Sequence, residues 1–132
     1  MWEQYFKGKV YGIDCDVKPH GGIADLTPMI QDHNIFILNA EDPKAIEWYF
    51  GGVKFDVIIE DAGHEINQQI NLCNIWRPYL AEGGIYIIED VQDIEKDEKR
   101  FFDGSIKNWT EVSVIDLRKE KGRYDDVLII IK

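Results

Sequence analysis

Two largely apolar runs, each followed directly by acidic residues, constrain the fold of this chain more than any other feature. The runs cover residues 55–59 and 84–88. Short apolar runs of this kind are typical of parallel strands that are buried on both faces of a sheet. One segment of helical length, residues 65–80, separates them. The pattern therefore predicts a strand–helix–strand unit whose two strands end at the same edge of the sheet.

Four polar side chains are expected to meet at that edge. Asp61 and His64 follow the first run, and Glu89 and Asp90 follow the second. Carboxylate oxygens are the ligands that Mg²⁺ prefers in proteins, and histidine is a common general base. The residues therefore predict a magnesium site with a base beside it.

The rest of the chain also alternates between strands and helices. Pro43 follows Asp42 at the expected start of a helix, a position that proline favours. A polar, glycine-containing connection at residues 118–123 is typical of an antiparallel hairpin. This order predicts one α/β domain over residues 1–132, with a mostly parallel sheet and a C-terminal antiparallel hairpin. The predicted strands are residues 9–14, 34–38, 55–60, 85–88, 111–117 and 126–131, and the predicted helices are residues 43–50, 65–80 and 93–102, with a weakly patterned segment at residues 23–31.

Charge and hydropathy argue against several classes of protein. The net charge of −10 disfavours nucleic acids and anionic membranes as partners, because both require a basic surface. No apolar run approaches the roughly 20 residues of a membrane span, and residues 1–6 do not resemble a signal peptide. Cys15 and Cys73 have apolar neighbours and are expected to be buried free thiols. The sequence therefore predicts a cytoplasmic protein that binds neither membranes nor nucleic acids.

Two segments form a compound motif on either side of the predicted helix. Residues 61–64 read Asp-Ala-Gly-His, and residues 82–90 read Glu-Gly-Gly-Ile-Tyr-Ile-Ile-Glu-Asp. They resemble the Asp-Gly-Ser-His and Pro-Gly-Gly-x-Tyr-x-x-Glu-Asp segments of the metal-dependent sugar O-methyltransferases that modify macrolide antibiotics, and of their cephalosporin-hydroxylase-like relatives. These are class I S-adenosylmethionine-dependent methyltransferases. Residues 10–16, Val-Tyr-Gly-Ile-Asp-Cys-Asp, resemble the second strand of the same fold. The resemblance implies a Rossmann-like methyltransferase sheet.

The resemblance also implies roles for the residues at the strand ends. Asp61, Glu89 and Asp90 would be ligands of Mg²⁺, and His64 would be the catalytic base that deprotonates a sugar hydroxyl. Mg²⁺ usually keeps several waters, which two adjacent hydroxyls of a small substrate could replace. The metal would make the hydroxyl that is to be methylated more acidic.

Two further residues are implied to bind the cofactor, S-adenosylmethionine. Asp14 would hydrogen-bond the ribose hydroxyls, and Asn39 would lie near the adenine. Members of the family begin with a strand and a Gly-x-Gly-x-Gly turn, whereas residues 1–6 resemble the helix that follows this turn. The first strand is therefore expected to be absent. The chain would then be an N-terminally truncated fragment, a reduced domain, or a domain completed by a partner chain, and the surface left by the strand would allow a homo-oligomer to form.

Two functions remain open at this point. The first is an O-methyltransferase that uses S-adenosylmethionine and Mg²⁺ to modify a hydroxyl of a small sugar-like molecule. The second is a non-catalytic, methyltransferase-derived module for assembly or dimerisation. His64 could also cap the following helix or lie in solvent, and Asp14 could stabilise a turn. A phospho-receiver domain fits less well, because it requires a lysine after the last parallel strand, and residues 89–92 contain none.

Overall fold

The computed structural model describes residues 4–16, 34–92, 94–104, 109 and 111–132. They fall into two units, Met1–Tyr49 and Phe50–Lys132, and the prediction of one domain over residues 1–132 stays a prediction. The weakly patterned segment at residues 23–31 lies outside the described residues. The elements are β1 (Tyr11–Asp14), β2 (Asn34–Ile37), α1 (Pro43–Phe50), β3 (Phe55–Glu60), α2 (Ile66–Trp76), β4 (Leu80–Ile88), α3 (Ile94–Gly104), β5 (Val112–Asp116), α4 (Arg118–Lys121) and β6 (Val127–Ile131).

The first unit contains a parallel pair of strands, β1 and β2. Their pairing continues beyond the last strand residues, because Leu38 N donates to Asp14 O at 2.9 Å. An aromatic contact joins β2 to α1, where the rings of Phe36 and Tyr49 lie 5.4 Å apart. The Asp42 side chain accepts a hydrogen bond from the backbone N–H of residue 44 at 3.0 Å, as an N-cap residue does. The predicted start of this helix is thus confirmed.

The second unit contains a four-stranded sheet in the order β3-β4-β6-β5. β3 and β4 are parallel, whereas β6 is antiparallel to both of its neighbours, β4 and β5. The predicted α/β fold with a C-terminal antiparallel pair is therefore confirmed. The polar connection between β5 and β6 includes α4. The residue that caps its C-terminus, Gly122, has a left-handed φ of 86°. Among the described residues of this unit, the buried apolar side chains are Phe50, Leu72, Cys73, Trp76, Tyr86, Ile88, Val91, Ile94, Phe101, Val127, Ile129 and Ile131.

β4 begins earlier than the sequence predicts, and α2 is shorter. A 3₁₀ turn at Arg77–Tyr79 follows α2 and contains Pro78, which cannot continue the helical hydrogen bonds. Leu80 then pairs with Phe55, and after a register shift Ile85 pairs with Val57. Gly84, next to this shift, is tightly packed, since a Cβ atom there would lie 3.1 Å from the carbonyl oxygen of residue 56.

Exposure differs from expectation at one cysteine. Cys73 is buried, as predicted, but Cys15 is exposed, because β1 ends at Asp14 and leaves the next residue beyond the sheet. Tyr5 and Phe6, from the aromatic N-terminal segment, are 76% and 40% exposed. None of the helices in the described ranges is both long and apolar enough to cross a membrane.

Candidate functional site

The parallel strands β3 and β4 end side by side, as the sequence predicts. Glu60 pairs with Ile88, and the backbone N–H of Glu89 donates to the carbonyl oxygen of Glu60 at 2.9 Å. From α2, the buried Gln69 side chain donates to the carbonyl oxygen of Glu89 at 3.1 Å. These bonds fix the backbone of the two strand ends that carry the predicted carboxylates.

Of the three predicted metal ligands, Glu89 is affected electrostatically by the other two. The pKa of Glu89 is raised above its ordinary value by burial first, and then by the negative charges of Asp61 and Asp90, while Lys121 acts in the opposite direction. Such an effect requires charges that are close together. However, no group of three or more His, Cys, Asp or Glu side chains in the described part of the chain is arranged to hold a metal ion. The structure therefore places the three carboxylates at one edge without assembling them into a ligand set.

Asp90 forms an ion pair that the sequence did not predict. Its Oδ2 accepts a hydrogen bond from Nη2 of Arg123 at 2.8 Å. Arg123 also lies within 3.4 Å of Asp125 and 3.6 Å of Asp126, and the pKa of its guanidinium is raised by these carboxylates, most strongly by Asp90. The backbone of Asp90 has a left-handed φ of 51°, which aspartate tolerates better than most residues. Arg123 lies in a polar, charged connection, so its position in the sequence gave no signal of this contact.

His64 is exposed and lies in the loop between β3 and α2. The N-cap residue of α2 is Glu65, so the alternative in which His64 caps this helix is not realised. The side chain of Gln68 closes over Gly63, where an added Cβ atom would lie only 1.7 Å from Oε1 of Gln68. The structure matches the other alternative, in which His64 lies in solvent, and its role as a catalytic base stays a prediction.

Glu60 is a second residue that the sequence analysis did not single out. Its side chain is buried, and Oε1 accepts a hydrogen bond from the backbone N–H of Ala62 at 3.1 Å. Burial raises the pKa of this carboxyl to about 7, and the charge of Asp61 adds to the effect, while hydrogen bonds from Ala62 and Gly63 oppose it. Among the residues that the structure describes, Oε2 of Glu60 and the hydroxyl of Tyr86 are buried without a hydrogen-bond partner.

The two predicted cofactor ligands lie in the first unit. Oδ1 of Asp14 accepts a hydrogen bond from the backbone N–H of Asp16 at 3.1 Å. Oδ1 of Asn39 likewise accepts one from the N–H of Glu41 at 2.9 Å. Both side chains therefore stabilise the turns that follow β1 and β2, which is the structural role considered for Asp14. Their assignment to S-adenosylmethionine stays a prediction.

No family model matches this chain. Among curated proteins, the demethylmacrocin O-methyltransferase of Streptomyces fradiae is 31% identical over 94 residues, which are 69% of this chain and 22% of that protein. The mycinamicin VI 2''-O-methyltransferase of Micromonospora griseorubida is 31% identical over 93 residues, with the same shares. This chain therefore spans about a fifth of the length of the curated relatives that it matches.

Solved structures show the same fold over almost the whole chain. Fibrillarin of Aeropyrum pernix, in complex with natively bound S-adenosyl-L-methionine, matches 96% of this chain and 56% of its own with a TM-score of 0.66 and 18% identity. A putative rRNA-methylase of Clostridium thermocellum matches 95% of this chain and 72% of its own, with a TM-score of 0.63 and 17% identity. The chain thus has the α/β, Rossmann-like fold of these methyltransferases, and 69% of its length is similar in sequence to two O-methyltransferases.

Proposed function

We propose that this chain is part of an S-adenosylmethionine-dependent O-methyltransferase that acts with Mg²⁺ on a hydroxyl of a small, sugar-like molecule. The observation that carries the proposal is the acidic edge at the paired ends of β3 and β4, where Glu60 pairs with Ile88 and the N–H of Glu89 donates to the carbonyl oxygen of Glu60 at 2.9 Å. The relatives support it, because two of them are named as a demethylmacrocin O-methyltransferase and a mycinamicin VI 2''-O-methyltransferase. The sugar-like substrate class follows from the resemblance of residues 61–64 and 82–90 to the sugar O-methyltransferases.

The residues at this edge fit Mg²⁺ in their chemistry. Asp61, Glu89 and Asp90 provide the hard oxygen donors that this ion prefers. Negative charges that lie close together repel one another, so the cluster costs free energy without a cation. A divalent cation would relieve this repulsion. When bound, Mg²⁺ would orient a substrate hydroxyl and increase its acidity. Asp90 would have to exchange Arg123 for the metal, because the two side chains are paired in this structure.

His64 would act as the general base. Its exposed imidazole lies three residues after Asp61, in the same loop, so it would accept the proton of the hydroxyl that attacks the methyl group. In the other unit, Asp14 would accept hydrogen bonds from the ribose of S-adenosylmethionine, and Asn39 would lie near its adenine. Each of these two side chains already accepts a backbone hydrogen bond, which fixes its orientation and leaves a second carboxylate oxygen or an amide group for the ligand.

Titration calorimetry with S-adenosylmethionine and S-adenosylhomocysteine, each with and without Mg²⁺, tests the proposal. We expect saturable heat of binding with each of these two ligands. Asp14→Asn should weaken cofactor binding without changing Mg²⁺ binding, and Asp61→Asn should have the opposite effect. Asp56→Asn is the matched control, because Asp56 is an exposed carboxylate of β3 away from its end.

A non-catalytic module for assembly or dimerisation is the second candidate. The ion pair between Asp90 and Arg123 favours it, because the guanidinium supplies at this carboxylate the positive charge that a metal would bring. This candidate predicts no heat with either cofactor, with or without Mg²⁺. Such a result would overturn the enzymatic proposal.

A further inference from the structure

We propose that Glu60 is a positioning residue, which holds the loop of residues 61–64 in the conformation that presents Asp61 and His64. The chemical use of that loop rests on the proposed function. The hydrogen bond from the Ala62 N–H to Glu60 does not depend on that function. The role of Glu60 and the proposed function can therefore be tested separately.

The burial of Glu60 requires an explanation. It is the last residue of β3 and is only 6% exposed. Placing a carboxyl group in such a site costs free energy unless its oxygens are hydrogen-bonded. A well-packed apolar side chain in the same place often stabilises the fold as well or better. One of the two carboxyl oxygens has no hydrogen-bond partner among the described residues. Stability alone therefore does not explain why a carboxyl group occupies this position.

The other oxygen makes a contact that an apolar side chain could not make. Oε1 of Glu60 accepts the hydrogen bond from the backbone N–H of Ala62 at 3.1 Å. Ala62 lies between Asp61 and His64, so this bond ties the middle of the loop to the end of the strand.

The loop is held from its other end as well. The backbone N–H groups of Gln68 and Gln69 donate to the carbonyl oxygen of Glu65 at 2.9 and 3.0 Å, which fixes the first turn of α2. The side chain of Gln68 lies against Gly63. Between α2 on one side and β3 on the other, the hydrogen bond from the Ala62 N–H to Glu60 holds the middle of the loop.

Tyr86 provides a matched control for the loss of a buried polar group. The register of β3 and β4 places Tyr86 on the same face of the sheet as Glu60. Its hydroxyl is buried and has no hydrogen-bond partner in the described part of the chain. Tyr86→Phe removes this polar atom without removing any bond to the loop.

The experiment compares Glu60→Met, Glu60→Gln and Tyr86→Phe with the wild-type protein. Methionine is close to glutamate in size but accepts no such hydrogen bond, whereas glutamine keeps the accepting oxygen. The first readout is the NMR signal of the His64 ring, which His64→Gln identifies among the three histidines. The second is the affinity for Mg²⁺ alone, measured by calorimetry.

We expect Glu60→Met to shift the His64 signal and to weaken Mg²⁺ binding about tenfold or more, as the loss of a residue that orients metal ligands typically does. Glu60→Gln and Tyr86→Phe should resemble the wild type in both readouts. A folded Glu60→Met protein with an unchanged His64 signal would overturn the proposal. If the wild type binds no Mg²⁺, the proposed function fails, while the His64 signal still tests Glu60.

Amide exchange tests the proposal without any substitution at Glu60. The N–H of Ala62 should exchange slowly with solvent in the wild-type protein, because it is bonded to a buried carboxyl group. Rapid exchange of this amide in the folded protein would contradict the proposal even if Glu60→Met did not fold.

Discussion

Glu60 and Asp116 show how opposite surroundings shift the pKa of a carboxyl group in opposite directions. Burial raises the pKa of Glu60 to about 7. At Asp116, hydrogen bonds from the Arg118 side chain and backbone lower the pKa to about 2. A raised pKa stabilises the fold only where the carboxyl is protonated, whereas a lowered pKa stabilises it where the carboxyl is ionised. The two residues therefore affect stability in different ranges of pH.

The stability of the wild-type protein should fall as the pH rises through the range set by Glu60. The folded protein binds a proton at Glu60 more tightly than the unfolded chain does, so its stabilising effect is complete below about pH 4.5 and is lost by about pH 7. The free energy of unfolding should decrease by on the order of 3 kcal/mol across this range. Urea unfolding at about pH 5 and about pH 7.5 measures the difference.

Substitution of the two carboxyls separates their effects. Glu60→Gln should remove most of the decrease, while the contribution of Glu89, whose pKa is also raised, should remain. Asp116→Asn should leave the decrease unchanged, because the effect of Asp116 lies below its ordinary value of 3.8. An equal pH dependence in Glu60→Gln and the wild type would contradict the assignment.

At the scale of elements, the connection between β5 and β6 contributes charge to the end of β4. Arg123 pairs with Asp90, and Lys121 lowers the pKa of Glu89 against the larger effect of burial. Arg118, in the same connection, pairs instead with Glu95 of α3 and Asp116 of β5. Two arginines of one connection thus bind different parts of the second unit, and only Arg123 contacts a predicted metal ligand.

Arg123→Gln should tighten Mg²⁺ binding. The substitution removes the cation that is paired with Asp90, and because exposed ion pairs are weak, the affinity should increase by a few-fold at most. Calorimetry with Mg²⁺ alone measures the change. Arg118→Gln is the control and should leave the affinity unchanged. Weaker binding in Arg123→Gln would show that the arginine supports the metal site rather than competes for Asp90.

The sequence predicted elements well where a residue imposes a local restraint. Pro43 and the preceding aspartate determine the start of α1, and Pro78 shortens α2. Leu80 was assigned to the helix, because it follows Trp76 at helical spacing, yet it belongs to β4. Its place depends on pairing with Phe55 and on a register shift, and neither leaves a periodic pattern in the sequence.

The candidate site was predictable where strand direction determines it. Asp61 and Asp90 follow two parallel strands, so topology alone places them at one edge. Arg123 was not predictable, because its contact with Asp90 depends on how the connection folds back over the sheet. The buried position of Glu60 was predictable, because side chains alternate along a strand and one of two adjacent acidic residues at its end must face inward.

At the scale of the whole molecule, the net charge of this chain is not suited to RNA, the molecule that appears in the names of some structural neighbours. Those neighbours include the putative rRNA-methylase of Clostridium thermocellum. With a net charge of −10, this chain should repel phosphate groups in most orientations of the protein relative to the phosphate. A shared fold therefore does not imply a shared partner.

We predict that the protein does not bind RNA at physiological salt. Fluorescence anisotropy of a labelled RNA hairpin and of a labelled single strand, each titrated with the protein at low and at physiological salt, measures this. The anisotropy should stay constant over the micromolar range. Binding at low salt that weakens as salt is added would contradict the prediction, because it would reveal a basic patch that the net charge conceals.

The position of β6 between β4 and β5 has a consequence for how the second unit acquires its structure. In a refolding chain, Tyr86 of β4 can pair with β3 early, but its other partner, Ile131, lies far along the sequence. Pairings between distant segments form slowly, and an apolar strand with an open edge can pair with another chain in the meantime. The refolding yield should therefore be set by a kinetic competition between insertion of β6 and aggregation through the open edge of β4.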